Sequence, residues 1–186
     1  NGFALNWPAT EQAWRLFADP TSPGRLIVAT QDEIYLSTDA GASFASVYTY
    51  TGTVSTSLKQ GLHVGGAFFD GPDIYVGSNA GLLVSTSGGG FQTAAVGGIG
   101  AGEAIYSFAG ASDGTTTRFW AVTHTASVIQ TPVEPHIVYP AYQNIYTLDL
   151  GQANWTAMAT GLASTTALAF VAMAPDLLFL KDADGD

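Results

Sequence analysis

Short apolar and β-branched runs alternate along the whole chain with clusters of Gly, Pro, Asn, Asp and Ser. That pattern predicts short strands joined by tight turns, and no stretch sustains a helical period. Leu26–Thr30 and Ile34–Thr38 form one pair of runs. Shifted by 48 positions, Ile74–Ser78 and Leu82–Thr86 fall on them without a gap, and Arg118–Val122 with Asn144–Asp149 makes a third pair. Another apolar run precedes each pair (Trp14–Asp19, Gly66–Asp70, Ile105–Gly110), and a fourth run follows it (Ala45–Tyr50, Gln92–Val96, Thr156–Thr160). A fourth unit opens with Ala167–Met173 and Leu177–Leu180. Four strands per unit, repeating at ~40–50 residues, predict the blades of a propeller. The blades run over about 14–50, 65–96 and 105–160, with another begun near 167, all in one domain.

Between the third and fourth runs of the first unit lies Ser37-Thr38-Asp39-Ala40-Gly41-Ala42-Ser43-Phe44. An Asp there can fold its carboxylate onto turn N–H groups, and the Gly suits a positive φ. Phe44 then packs the hairpin onto its neighbour. This octapeptide resembles the Asp box of sialidase-like (BNR-type) β-propellers. The second copy is degenerate, with Ser85, Ser87 in place of Asp, and Phe91 one residue early; the third has Thr147, Asp149, Gly151 and a late Trp155. The resemblance implies an all-β propeller of four-stranded antiparallel blades. About three and a half blades are expected here, whereas propellers close with about 4–8. The chain is therefore expected to be a fragment of a larger, six- to eight-bladed ring, whose remaining blades come from the same or another chain.

Composition narrows the partners. The chain is 47% hydrophobic and only 11% charged, with a net charge of −10 and five Lys and Arg in total. Nucleic acids and anionic membranes call for a basic face, so neither is an expected partner. No run of ~20 apolar residues predicts membrane insertion. There is no Cys, so disulfides and thiol chemistry are excluded. The resemblance implies export, to an extracellular or periplasmic location.

Successive connections within a blade alternate between two ends. The boxes and the first-to-second turns share one end, the turn face. The second-to-third connections and the links between blades share the other, the loop face. The long segments Tyr50–Gly65, Gly97–Ala104 and Thr123–Gln143 all fall on the loop face, where function tends to reside. The last of these holds His124, Glu134, His136, Tyr139 and Tyr142, braced by Pro132, Pro135 and Pro140. Its tyrosines suit stacking on a sugar or peptide. Its histidines, 12 apart, fit no familiar ligand spacing, so no metal is expected. His63 and Glu103 are placed in the inter-blade links, as solvated loop residues or an acid and base near the axis. Asp19 and Asp70 are expected as turn residues. Asp182, Asp184 and Asp186 alternate as in the start of a calcium loop, although their place in the repeat matches the second-to-third turn of earlier blades. No other cofactor is expected, and Asn154-Trp155-Thr156 is read as a chance glycosylation sequence.

Two functional readings follow. One is a non-catalytic secreted or surface-exposed module that binds a glycan or protein through its loop face. The alternative is a glycoside hydrolase of sialidase or xyloglucanase type. A sialidase clamps its substrate carboxylate with several arginines, yet the chain has only Arg15, Arg25 and Arg118. Arg25 and Arg118 fall on the turn face, which leaves Arg15. An Asp-box assembly factor would need a basic patch, which this chain lacks.

Overall fold

The computed structural model describes residues 15–54, 61–125, 142–158 and 169–181. They form four antiparallel sheets in chain order. The first contains β1 (Arg15–Ala18), β2 (Leu26–Ala29), β3 (Glu33–Ser37) and β4 (Ala45–Thr49). The second contains β5 (Val64–Asp70), β6 (Asp73–Ser78), β7 (Gly81–Ser85) and β8 (Gln92–Thr93). The third contains β9 (Glu103–Ser112), β10 (Thr117–Thr125), β11 (Tyr142–Asp149) and β12 (Thr156–Ala157). The fourth pairs β13 (Ala169–Ala174) with β14 (Leu177–Lys181). The architecture is all-β, with three four-stranded sheets, each a meander like a propeller blade. No helix among the described residues is long and apolar enough to cross a membrane.

Both faces of a sheet are packed, and strand alternation divides the work. Ile27, Ala29, Ile34 and Leu36 of the first sheet meet Ile74, Val76 and Leu83 of the second. The opposite face of the second sheet, with Tyr75 and Leu82, meets Phe108, Phe119, Ala121, Tyr146 and Leu148 of the third. Trp120, Val122 and Ile145 face the other way, towards Ala172 and Leu178. Each large side chain buried in this way stabilises the fold by roughly 1.5–3 kcal/mol. A one-residue slip in any strand would exchange the two faces and ruin both seams.

The first strands of successive sheets lie closest together, with β9 packed against both β5 and β13. Glycine permits this. A Cβ at Gly66 would sit 2.0 Å from the Phe108 carbonyl oxygen, and one at Gly77 would sit 2.3 Å from Phe108 Cβ. Gly110 is held as tightly from the other side, where a Cβ would sit 2.6 Å from the Phe68 ring.

Polar contacts close the same seams at the turn face. Arg25 donates through Nε to Asp19 (2.8 Å) and reaches across to the carbonyls of Gly71 and Pro72, in the turn between β5 and β6. Burial would push the Asp19 carboxyl up, but two hydrogen bonds from Thr21 and the Arg25 guanidinium hold it below the usual range. Arg118 repeats the device two sheets on. It grips Asp149 through Nε and Nη2 and donates to the Pro175 carbonyl at 2.9 Å, in the turn between β13 and β14. Between these two seams, Thr117 donates to Asp70 at 2.8 Å. Asp19 and Asp70 thus bind one sheet together or to the next, beyond serving as turn residues.

The described strands depart from the sequence expectation at the outer edge of the second sheet and the inner edge of the third. β9 runs longer than Ile105–Gly110, because it pairs with β10 along its whole length. The outer strands β8 and β12 are only two residues long. The chain leaves β8 before Val96, as Gly97 turns aside to bridge Asn154 of the next sheet.

Two measurements test this account. Arg25→Met is expected to lower the unfolding free energy by about 3 kcal/mol in urea denaturation, since it strands a buried carboxylate. Arg118→Met is expected to cost at most about 1 kcal/mol, because its ion pair is roughly one-third exposed. Equal effects would refute the assignment. Gly66→Ala is expected to destabilise by about 1–3 kcal/mol or more through overpacking; an unchanged melting temperature would refute the close approach.

Candidate functional site

At the turn face, the Ser37–Phe44 hairpin is closed by its own side chains. Asp39 Oδ1 accepts from the Ser43 amide (2.9 Å) and the Ser37 hydroxyl (2.8 Å), and Ser37 Oγ accepts from the Gly41 amide (2.9 Å). Bonds from the Ser43 hydroxyl and amide, then from Ser37, pull the Asp39 carboxyl down to about 2. Gly41 takes the positive φ of 84°, and so, unexpectedly, does Ala40 at 59°. The other two hairpins use different groups. Ser85 donates to the Gly89 carbonyl, and Ser87, itself at positive φ, has its amide bound by Asp73. Asp149 is taken by Arg118, while Thr147 donates to the Phe119 carbonyl and Gly151 holds a φ of 92°. Phe91 and Trp155 are buried in the seams, while Phe44 is half-buried. All of this braces a hairpin, and none of it is arranged to meet a substrate.

The loop face differs. Near that end the second strands carry buried hydroxyls: Thr30, Ser78 and Thr123. Thr30 accepts from the Glu33 amide (3.0 Å) and Ser78 donates to the Gly81 carbonyl (3.0 Å), fixing the turns into the third strands. Thr123 donates both to Glu103 and to the Asn144 carbonyl. Glu103 does not lie in a link; it opens β9, paired with Thr125. Its other oxygen accepts from the Tyr146 hydroxyl at 3.2 Å, and that hydroxyl accepts from the Gly100 amide. Glu103 therefore fastens the incoming link to the third sheet, and register brought it into the strand.

His124 also departs from expectation. It lies within β10 opposite Ala104, not in an insertion loop, and is buried. β10 extends that far because β9 and β11 both pair with it. Tyr142 likewise opens β11. Glu134, His136 and Tyr139 lie outside the described residues, as do Asp182, Asp184 and Asp186. Among the described residues, no three His, Cys, Asp or Glu side chains converge as a metal site would require.

What joins His63 to His124 is Tyr106, which the sequence does not single out. In β9, Ile105 pairs with Thr123 and Ser107 with Val122, leaving Tyr106 as the extra residue of a β-bulge. A bulge re-aims a side chain. The Tyr106 ring stacks on His63 (centroids 4.7 Å, 12° between planes) and on His124 (4.1 Å, 20°). The second sheet has its own bulge at the corresponding place, and there the extra residue is Gly65. A Cβ on Gly65 would lie 2.7 Å from the Tyr106 carbonyl oxygen, so one bulge is kept bare to admit the backbone of the other.

His63 Nε2 donates to that same carbonyl at 2.8 Å, which fixes the neutral tautomer. Burial pushes the imidazole below its ordinary value; the Tyr106 carbonyl opposes this, and the charges of Arg15 and His124 add to the downward push. His63 is thus a largely buried hinge between sheets, not a solvated loop residue. Arg15, at the start of β1, is exposed at the same end.

Comparison with known proteins agrees with this architecture. A GH74 xyloglucanase from Xanthomonas campestris matches over 91% of this chain and 26% of its own, with a TM-score of 0.59 and 21% identity. An ancestral GH74 enzyme matches over 82% of this chain and 26% of its own, with a TM-score of 0.45 and 16% identity. The chain thus spans about a quarter of the length of either structure. At these identities the likeness concerns the fold, part of a β-propeller. No protein-family model matches the chain, and no curated protein matches it.

The buried stack makes stability pH-dependent. Because folding depresses the His63 pKa, stabilisation is complete above the ordinary imidazole value of 6.5 and drains away as pH falls through the depressed one. The melting temperature is expected to fall between pH 7.5 and about 5.5, and His63→Gln is expected to flatten that fall. An equally steep fall in the variant would refute the role of His63.

Proposed function

We propose that this chain supplies blades of an extracellular or periplasmic β-propeller that binds a glycan through its loop face and does not cleave it. The observation that carries this reading is the state of Glu103. It is the carboxylate nearest the axis-side stack on β9, and hydroxyls of Thr123 and Tyr146 occupy it as a brace. Hydrolysis of a glycoside calls for two carboxylates flanking the bond, ~5–9.5 Å apart. The described loop face instead offers an aromatic–imidazole stack with a half-exposed tyrosine. In this reading Ser37–Phe44 is an Asp box, and its degenerate copies are scaffold. Further blades, from the same polypeptide or another, complete the ring and cover apolar surface such as Leu16, which is 64% exposed.

A second reading, a glycoside hydrolase, draws on the fold shared with the xyloglucanase. Under it, blades beyond these supply part of the active site.

One experiment separates the two. Xyloglucan oligosaccharides titrated into the protein are expected to bind with a Kd in about the micromolar-to-millimolar range, while reducing-end release stays at the level of a protein-free control. Release above that control would establish the hydrolase reading, and absence of both signals would sink the glycan reading.

A further inference from the structure

We propose that residues 61–63, the lead into β5, form a keystone joining three sheets at the loop face, and that acid releases it locally by protonating His63. This latch is independent of the ligand that the loop face takes.

The keystone is assembled from bonds to three elements. The Leu62 amide donates to the Gln31 carbonyl at 2.6 Å, in the turn between β2 and β3. The Leu62 side chain is buried in the core that the first and second sheets share. Asn79, in the turn between β6 and β7, clasps the segment from the second sheet. Its Oδ1 accepts from the His63 amide (2.9 Å) and its Nδ2 donates to the Gly61 carbonyl (2.9 Å). Its own amide donates to the His63 carbonyl at 3.0 Å. The third sheet is reached through the His63 ring, which stacks on Tyr106 and donates from Nε2 to the Tyr106 carbonyl. An imidazole is thus the keystone's grip on β9.

That grip suits only the neutral ring. Nε2 already spends its proton on Tyr106, so a second proton goes to Nδ1 in a largely buried place. The charged groups around it do not compensate. Arg15 of β1 and His124 of β10 both oppose a charge on His63, and β9 presents the Tyr106 ring. The neighbouring carboxylates are engaged by hydroxyls: Glu103 of β9 by Thr123 and Tyr146, Asp32 by Thr30, and Glu33 by Tyr35 and Ser46. A protonated His63 is therefore better placed in water than in the seam. Once freed, it titrates near its ordinary value of 6.5. The neutral grip is complete above that value and weakens below it, so the open link gains by up to about tenfold at pH 5.5.

Release stays local because the turn face pins the same seams separately. Arg25 ties the first sheet to the second through the Gly71 and Pro72 carbonyls. Thr117 ties the third to the second through Asp70.

The test is amide hydrogen exchange of the full chain, followed by NMR at pH 7.5 and 5.5 and corrected for intrinsic rates. The Leu62 and His63 amides are expected to lose protection about five- to tenfold at the lower pH. They should do so through openings that small additions of urea do not accelerate. The Gly41 amide, bound by Ser37 at the turn face, is expected to keep its protection. His63→Gln, which retains a side-chain donor, is expected to remove the pH response. Asn79→Ala takes two bonds from the link and is expected to lower Leu62 protection about tenfold at pH 7.5; it serves if His63→Gln does not fold. A change of less than twofold between the two pH values would overturn the latch, as would a response that survives in His63→Gln. An equal loss at Gly41, or Leu62 exchange as urea-sensitive as that of the β6 amides, would report global loosening and overturn it too. Leu62 protection unmoved by Asn79→Ala would remove the keystone itself.

Discussion

Sheets arranged around an axis must crowd where they converge, and that crowding governs the rest of the molecule. Between β5 and β9 the backbone approach leaves no room for a methyl group at Gly66. Farther out, the same seam is filled by Tyr75, Leu82, Phe119 and Leu148. The taper from glycine to aromatic is the shape of the seam written in side-chain volume. Because close-packed seams cannot deform continuously, the inner strands set the spacing to which outer strands and turns conform. Arg25 and Arg118 then pin two of the three seams at one end, each with a guanidinium that satisfies an acid in its own sheet and a carbonyl in the next.

Much of this architecture was legible in the amino-acid order. The strand pairs at Leu26–Ser37 and Ile74–Ser85 follow from apolar runs between turn residues, and the 48-residue shift relates them. The resemblance of Ser37–Phe44 to a propeller hairpin pointed to the same fold. What could not be read was register. A bulge adds one residue to a strand without any compositional mark, so nothing singles out Tyr106 within the run Ile105–Gly110. The same blindness placed His124 and Glu103 in loops, since only pairing with neighbouring strands shows how far β9 and β10 extend. The outer strand of the second sheet is shorter than its apolar run, Gln92–Val96, because a strand with a single neighbour ends wherever the chain finds a better partner, as Gly97 does at Asn154.

The two ends of the sheets have been put to different uses. At the turn face nearly every polar group named here is occupied by another group of the chain, often across a seam. At the loop face, hydroxyls at the ends of the second strands settle the turns, and the side chains nearest the axis come from three separate segments. His63, Tyr106 and His124 are far apart in sequence and meet only because two bulges occupy equivalent places in adjacent sheets. A site of this kind depends on the seam itself. Anything that shifts one sheet against the next alters the stack before it alters either sheet.

The rim of the structure carries a different lesson. β8 and β12 each offer only two residues of regular pairing. The longer β4 has its Val47 carbonyl taken by the Phe91 amide of the next sheet. A foreign strand seeking to add itself there would find few consecutive donors and acceptors. With charged side chains scarce, protection against runaway self-association falls to the brevity and occupancy of the perimeter, so lengthening an outer strand would be a hazardous change even where every new residue were polar.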